Sequence, residues 1–282
     1  MGVLRRHAVE LLTRARVPSA EVDAELLIGH VLGLSRGAVQ ARALTGAAVS
    51  QEAAEAIMRL IDRRAAREPL QHLTGRAAFR TLELSVGPGV FVPRPETESV
   101  AQVAIEALRA DPAAEPIAVD LGMGSGALAL ALAAEVPHSR VVGVENSPQA
   151  FVWATRNLRE TGLGNVRMVF ADLAGALPEL EGTVAVVVSN PPYIPIGAIP
   201  RDPEVRLHDP EAALYGGADG LDVVRSVSVT GLRLVHPDGV LVLEHGEAQG
   251  EEIRELLRAD GWHDAATLPD LTGRPRTTTA RR

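Results

Sequence analysis

Two short segments of this chain carry groups able to do chemistry on a nitrogen atom. Asn190-Pro191-Pro192-Tyr193 follows the apolar run Val184-Ala-Val-Val-Val188, and well upstream lies the glycine-rich turn Asp120-Leu-Gly122-Met-Gly124-Ser-Gly126. An amide or aromatic amine nitrogen is a poor nucleophile because its lone pair is delocalised, so it reacts only when gripped, turned and desolvated. The Asn190 side-chain carbonyl and a backbone carbonyl stiffened by the proline pair could accept its two hydrogens, while Tyr193 offers a flat face for the planar group. The chemistry suggested is methyl transfer to a planar nitrogen.

The glycine turn leaves two cofactors open. Gly122, Gly124 and Gly126 allow a sharp bend and close approach of backbone to a ligand. Gly122, Gly124 and Ala127 also satisfy the dinucleotide fingerprint, with Glu145 about 20 residues on as an acid for a ribose. A nicotinamide dinucleotide and S-adenosylmethionine both carry such a ribose, so Glu145 does not choose between them. Asp172 could accept from an adenine amine, although acids also commonly begin loops. Asn190-Pro-Pro-Tyr193 separates the two readings, because hydride transfer has no use for this tetrapeptide and nitrogen methylation does.

Positioning these groups needs a parallel sheet. Apolar runs predict strands at Ile117–Leu121, Arg140–Glu145, Val166–Phe170, Val184–Ser189 and Val240–Glu244, with helices near Leu128–Glu135, Pro148–Glu160, Leu221–Leu234 and Glu251–Ala259. Ligands of such sheets sit beyond the carboxyl ends of the strands. Four of these strands finish in the glycine turn, Glu145, Asp172 and Asn190, so one crevice would collect all four. Residues 1–75 read as a helical domain, with helices over Leu4–Arg16, Ala20–Leu32 and Gln51–Arg67. Residues 76–94 alternate with period two around Gly87-Pro-Gly89 and predict a hairpin linker, which leaves 95–282 as the catalytic domain. The irregular, proline-rich stretch 195–215 is of a length usually given to lids or binding segments.

Composition narrows the classes of function. The 282 residues carry a net charge of −8 and are 3% aromatic, which argues against a protein that grips long nucleic acid. All 28 basic residues are arginine, and there is no cysteine to form disulfides or thiolate metal sites. No apolar run approaches the roughly 20 residues needed to cross a bilayer, and no export signal is seen, so a cytoplasmic location with no membrane partner is expected.

The ordered motifs resemble one family. Asp23-Ala-Glu-Leu-Leu27, Glu68-Pro-Leu-Gln71 with Leu73-Thr-Gly75, Val92-Pro-Arg94-Pro-Glu-Thr-Glu98, the glycine turn and Asn190-Pro-Pro-Tyr-Ile194 occur in turn. His208-Asp-Pro-Glu-Ala-Ala-Leu214, Gly216-Gly-Ala-Asp-Gly-Leu221 and Asp270-Leu-Thr-Gly-Arg274 follow them. The chain thereby resembles the HemK-type protein N5-glutamine methyltransferases, which modify the glutamine of the Gly-Gly-Gln motif in peptide chain release factors. The resemblance implies an α/β fold with a seven-stranded class I S-adenosylmethionine-dependent methyltransferase sheet, an N-terminal helical domain that docks the substrate and a linking β-hairpin. It implies S-adenosylmethionine as cofactor, cradled by Gly122, Met123, Gly124, Ser125 and Gly126, with Glu145 on the ribose, Asp172 and Leu173 bordering adenine, and Asn190 beside it. Asn190, Pro191, Pro192 and Tyr193 would hold the substrate glutamine, with Asn190, Pro191 and Tyr193 as the catalytic set. Met123, Leu173 and His245 depart from the usual family pattern. The alternatives are an adenine or guanine N-methyltransferase acting on nucleic acid, and a docking protein for the termination machinery that has lost activity.

Overall fold

Leu, Ile and Ala recurring three and four residues apart fold the start of the chain into helices that share one apolar core. The computed structural model describes residues 1–282, beginning with α1 (Gly2–Arg14), α2 (Ala20–Leu32), α3 (Arg36–Leu44), α4 (Gln51–Ala65) and α5 (Leu70–Thr74). Leu12, Leu27, Ile28, Ile57 and Ile61 are fully buried together. Ser35 and Ser50 cap α3 and α4 by accepting from the backbone N–H groups of Ala38 and Ala53. The compact unit that these helices build, Met1–Arg76, also takes in Pro200–His208.

Buried acids in this unit are neutralised by arginine. Arg64 binds Asp23 at 2.8 Å and Glu204 at 2.8 Å, and Arg67 donates from Nε to the same Glu204 at 2.8 Å. Burial alone would raise the pKa of Glu204, but bonds from Asp202, Arg67 and Arg64 outweigh it and hold the acid at about 2. Glu25, fully buried, receives Arg5 at 2.8 Å, Arg36 at 2.7 Å and Gln40 at 2.9 Å. The segment expected to be a lid therefore contains a short helix, Pro203–His208, whose acid is locked into the helical unit.

The second unit, Ala77–Ile199 with Asp209–Arg282, opens with the end of a two-stranded sheet of β1 (Arg76–Phe79) and β2 (Leu82–Ser85). Its reversal falls at Arg80-Thr81, not at Gly87-Pro88-Gly89. Arg80 stands at φ +52°, held there by its N–H donating to Glu98 at 3.0 Å and by its ion pair with Glu135. Gly87 serves packing instead: a Cβ there would lie 2.6 Å from the Trp153 ring, whose indole N–H donates to Pro88 at 3.2 Å.

The chain then runs through α6 (Thr97–Ala110), β3 (Ile117–Leu121), α7 (Ala127–Glu135), β4 (Arg140–Glu145), α8 (Pro148–Thr161), β5 (Val166–Phe170) and β6 (Val184–Ser189). After α9 (Pro203–His208) come α10 (Asp222–Leu234), β7 (Val235–Glu244), α11 (Gly250–Asp260), β8 (His263–Pro269) and β9 (Pro275–Arg281). One sheet of seven strands results, in the order β5-β4-β3-β6-β7-β9-β8. Strands β5 to β7 are parallel, and β9 runs antiparallel to both its neighbours. Alternate residues feed opposite faces: Val186 and Val188 join the core under α6 and α7, while Val187 joins the one containing Leu241, Leu257 and Trp262. Because both faces are covered, β3 and β6 are buried along their whole length, which is why they read as unbroken apolar runs.

Candidate active site

The strand tips at the carboxyl edge line up in sheet order, so motifs far apart in sequence become neighbours. Asp172 follows β5, Glu145 ends β4, the glycine turn follows β3, Asn190 follows β6 and Glu244 ends β7. Asp120 on β3 pairs with Val188 on β6, which sets Gly122 and Asn190 at the same level, and Ser189 ties the two tips by donating from Oγ to the Leu121 carbonyl at 2.5 Å.

The glycine turn is built from positive φ angles, +78° at Gly122 and +56° at Gly124, which L side chains rarely adopt. Open space lies beside both, since a Cβ on either would meet nothing within 4 Å. The rest of the turn faces inward. The Met123 side chain is buried and fills the place where Gly143 lacks a Cβ, Ser125 is buried with its carbonyl accepting from Asn157 at 2.9 Å, and Gly126 packs on Leu130 and Met168. Met123 and Ser125 thus offer a ligand their backbone.

Glu145 is already engaged with the backbone around it. Its Oε2 accepts from the Gly124 N–H at 2.9 Å, and its Oε1 from the N–H groups of Asn146 at 3.0 Å and Ser147 at 2.7 Å. A carboxylate has about four acceptor positions, so one remains for a ribose hydroxyl, and a second opens only where a backbone N–H gives way. Asp172 is exposed, takes the Ala174 N–H at 2.9 Å and receives the Asn146 amide at 3.4 Å. Leu173 is half-buried against the core beneath the sheet.

Asn190 is oriented by a residue of the Pro-Arg-Pro-Glu-Thr-Glu motif. Its Nδ2 donates to Thr97 Oγ1 at 3.3 Å, which leaves the carbonyl oxygen Oδ1 as a spare acceptor. Pro191 is buried, while Pro192 and Tyr193 are half-buried. The Gly216-Gly-Ala-Asp-Gly-Leu221 segment holds their backbone. Around a parallel bridge between Ile194 and Tyr215, the Ile194 N–H donates to the Leu214 carbonyl and the Ile194 carbonyl accepts from the Gly216 N–H, each at 2.9 Å, and a Cβ on Gly216 would strike the Pro192 carbonyl at 2.4 Å. Gln249 completes the clamp by donating to the Tyr193 carbonyl at 3.0 Å. Burial pushes the Tyr193 phenol up to about 12, with the nearby Glu244 adding to the effect, so it stays neutral near pH 7. Arg94, from the same motif as Thr97, stacks 5.1 Å from the Phe91 ring centroid and binds buried Asp209 at 2.7 Å.

Three residues join the site that motif reading did not single out: Thr97, Asp120 and Glu244. Asp120 is fully buried under the turn, with Oδ2 taking the Ala129 N–H at 3.0 Å and Oδ1 without a partner. Burial pushes it up to about 7, the Ala129 bond opposes this and the Glu145 charge adds to it. Its place just ahead of the turn was the available signal. His245 is not part of the open site: it is buried, with Nδ1 bonded to the Gly246 carbonyl at 2.8 Å and Nε2 to Thr278 at 2.9 Å, and burial lowers its pKa.

The residues at the turn fit S-adenosylmethionine. Open space beside Gly122 and Gly124, an unpartnered Asp120 oxygen suited to a cationic group and a free acceptor position on Glu145 match a ligand with an amino-acid end and a ribose. Together with the strand order, they define a class I S-adenosylmethionine-dependent methyltransferase.

Residues 4–75 match the family model described as PrmC N-terminal domain, and residues 81–198 the one described as Methyltransferase small domain. The release factor glutamine methyltransferase of Streptomyces coelicolor is 48% identical over 277 residues, 98% of this chain and 95% of that one. Its counterpart in Mycolicibacterium smegmatis is 45% identical over 279 residues, 98% and 95% of the two chains. A 4-amino-L-phenylalanine/4-methylamino-L-phenylalanine methyltransferase of Streptomyces pristinaespiralis is 46% identical over 213 residues, 74% of this chain and 72% of that one. The chain belongs to the release factor glutamine methyltransferase family.

Proposed function

We propose that this enzyme methylates the side-chain amide nitrogen, N5, of the glutamine in the Gly-Gly-Gln motif of peptide chain release factors. Near full-length kinship to release factor glutamine methyltransferases supports the substrate class. The observation that carries the chemistry is Asn190: its amide nitrogen is committed to Thr97, so its oxygen is left to accept from another amide.

S-adenosylmethionine supplies a methyl group activated by a sulfonium, held by the glycine turn, Glu145 and the Asp172-Leu173 exit. The protein's own task is to present a nucleophile. Asn190 Oδ1 and the Pro191 carbonyl accept the two hydrogens of the glutamine amide, which fixes the plane and direction of its nitrogen. Proline has no N–H to compete and a fixed φ, so this pair of acceptors is stiff. Tyr193, neutral and clamped through its backbone, covers the planar group. Correct orientation of this kind is worth up to about 7–11 kcal/mol in favourable cases, and the two carbonyls also stabilise positive charge growing on nitrogen. The methylated amide is acidic enough to give its proton to water, so no strong base is required. The helical unit is proposed to dock the release factor while the sheet unit does the chemistry.

Tandem mass spectrometry of a release factor incubated with enzyme and cofactor tests the function. One added methyl group on the Gly-Gly-Gln glutamine is expected. Methylation of DNA in a parallel incubation, with the release factor unchanged, would instead support the nucleic-acid alternative, against which the net charge of −8 already argues.

A further inference from the structure

Glu244 is a buried acid for which the mechanism above has no use. It ends β7, one step beyond the Ser189–Leu243 pair, and therefore lies level with Asn190 on the adjacent strand exit. On its other side it pairs with Thr277 of β9. Only 3% of the residue is exposed, and it makes no ion pair. Thr97 and Asn190 are near enough to its carboxyl group to favour the charged form, and its Oε2 has no hydrogen-bond partner. An acid kept dry at this cost needs a compensating role, since an unpaired buried carboxyl is destabilising.

The order of donors and acceptors supplies that role. Asn190 Nδ2 has two hydrogens; one goes to Thr97 Oγ1, and the Glu244 carboxyl lies level with the same residue on the adjacent strand exit. Thr97 has a single hydroxyl hydrogen. If that hydrogen points at Glu244, only lone pairs face Asn190, and the carboxamide is locked with nitrogen inward and oxygen outward. Without an acceptor at position 244 the hydroxyl is free to donate to the Asn190 oxygen, which turns the acceptor away from a substrate.

We propose that Glu244 is a positioning residue that, through Thr97 and directly, fixes the carboxamide of Asn190 so that Oδ1 receives the substrate amide. This deepens the assignment of Asn190 and rests on it. Burial pushes the Glu244 carboxyl up to about 7, Thr97 opposes this, Glu96 adds to it, and Arg276 and Asn190 oppose it. The neutral acid still presents a carbonyl oxygen, so the lock does not need the charge.

A double-mutant cycle on the full-length enzyme tests the inference, with kcat on release factor and the dissociation constant of S-adenosylmethionine as readouts. Glu244→Ala lowers kcat by about tenfold, the scale of one lost orienting hydrogen bond, and leaves cofactor affinity within about twofold. Glu244→Gln keeps an acceptor and restores kcat to within about threefold of wild type. In an Asn190→Ala background Glu244→Ala costs less than about twofold more, because the group through which it acts is gone. If Glu244→Ala does not fold, Thr97→Val carries the same cycle, with a loss that disappears in the Asn190→Ala background. The inference is overturned by wild-type kcat in Glu244→Ala, by losses that multiply in the cycle, or by Gln as impaired as Ala. Near-normal turnover of Asn190→Ala alone would overturn the assignment of Asn190 itself, a separate result.

Discussion

Buried acids in the helical unit are paired with arginine, as Asp209 is in the sheet unit, but two buried acids at the sheet's carboxyl edge are not. In the helical unit Asp23, Glu25 and Glu204 each meet at least one guanidinium, and Glu25 and Glu204 titrate below the ordinary carboxylate range. In the sheet unit Asp120 and Glu244 sit at strand tips without an ion pair, keep an unpartnered oxygen each and are raised to about 7. Paired acids lock helices together. Unpaired acids at the carboxyl edge are retained at a cost to stability, and they mark the site.

The largest effect expected from this contrast is in the helical unit. Arg64→Ala leaves Asp23 buried without its cation, and removing one partner of a buried pair costs about 3–5 kcal/mol. Urea unfolding should show it; a loss no larger than that of a surface mutation would break the distinction. Next comes Glu145→Ala, which removes the acceptor proposed for the ribose and the bond that shapes the Gly124 turn. Cofactor affinity measured by calorimetry should fall by about tenfold or more, one hydrogen-bonding group's worth, with turnover at saturating cofactor affected less. Unchanged affinity would remove Glu145 from the cofactor site.

A smaller effect concerns pH. The raised pKa values of Asp120 and Glu244 mean that the folded protein holds more protons than the unfolded chain between about pH 4 and pH 7. These groups therefore lose stability for the fold as pH rises through that window, whereas Glu25 and Glu204 lose it only as pH falls below the ordinary carboxylate range. Melting temperature followed from pH 4.5 to 8 should fall less steeply in Glu244→Gln than in wild type. Parallel profiles would show that Glu244 does not titrate there. The smallest effect is at the surface, where Arg156→Ala should change stability by no more than about 0.5 kcal/mol although Arg156 pairs with Glu160 at 2.7 Å.

What the sequence made legible follows the same physics. Strands covered on both faces, such as Val184–Ser189, are continuous apolar runs and were readable directly. The last two strands were not: β9 is Pro-Arg-Thr-Thr-Thr-Ala-Arg, which qualifies as a strand through its β-branched residues and its partners β7 and β8 and not through hydrophobicity. The hairpin was legible but its turn was not, because Arg80 is held at positive φ by Glu98 and Glu135 from elsewhere in the chain. At the proposed site, Asn190 and the glycine turn stand out by residue type. Thr97 and Glu244 gain meaning only from register, which places the end of β7 and the start of α6 beside Asn190.

The most direct measurement is turnover of release factor by Asn190→Ala at saturating cofactor, beside its affinity for S-adenosylmethionine. The account predicts a loss of roughly 10²-fold or more in kcat, the cost of removing one preorganised polar partner, with cofactor affinity changed by no more than a few-fold. A purified, folded Asn190→Ala enzyme that turns over at a near-normal rate would contradict it.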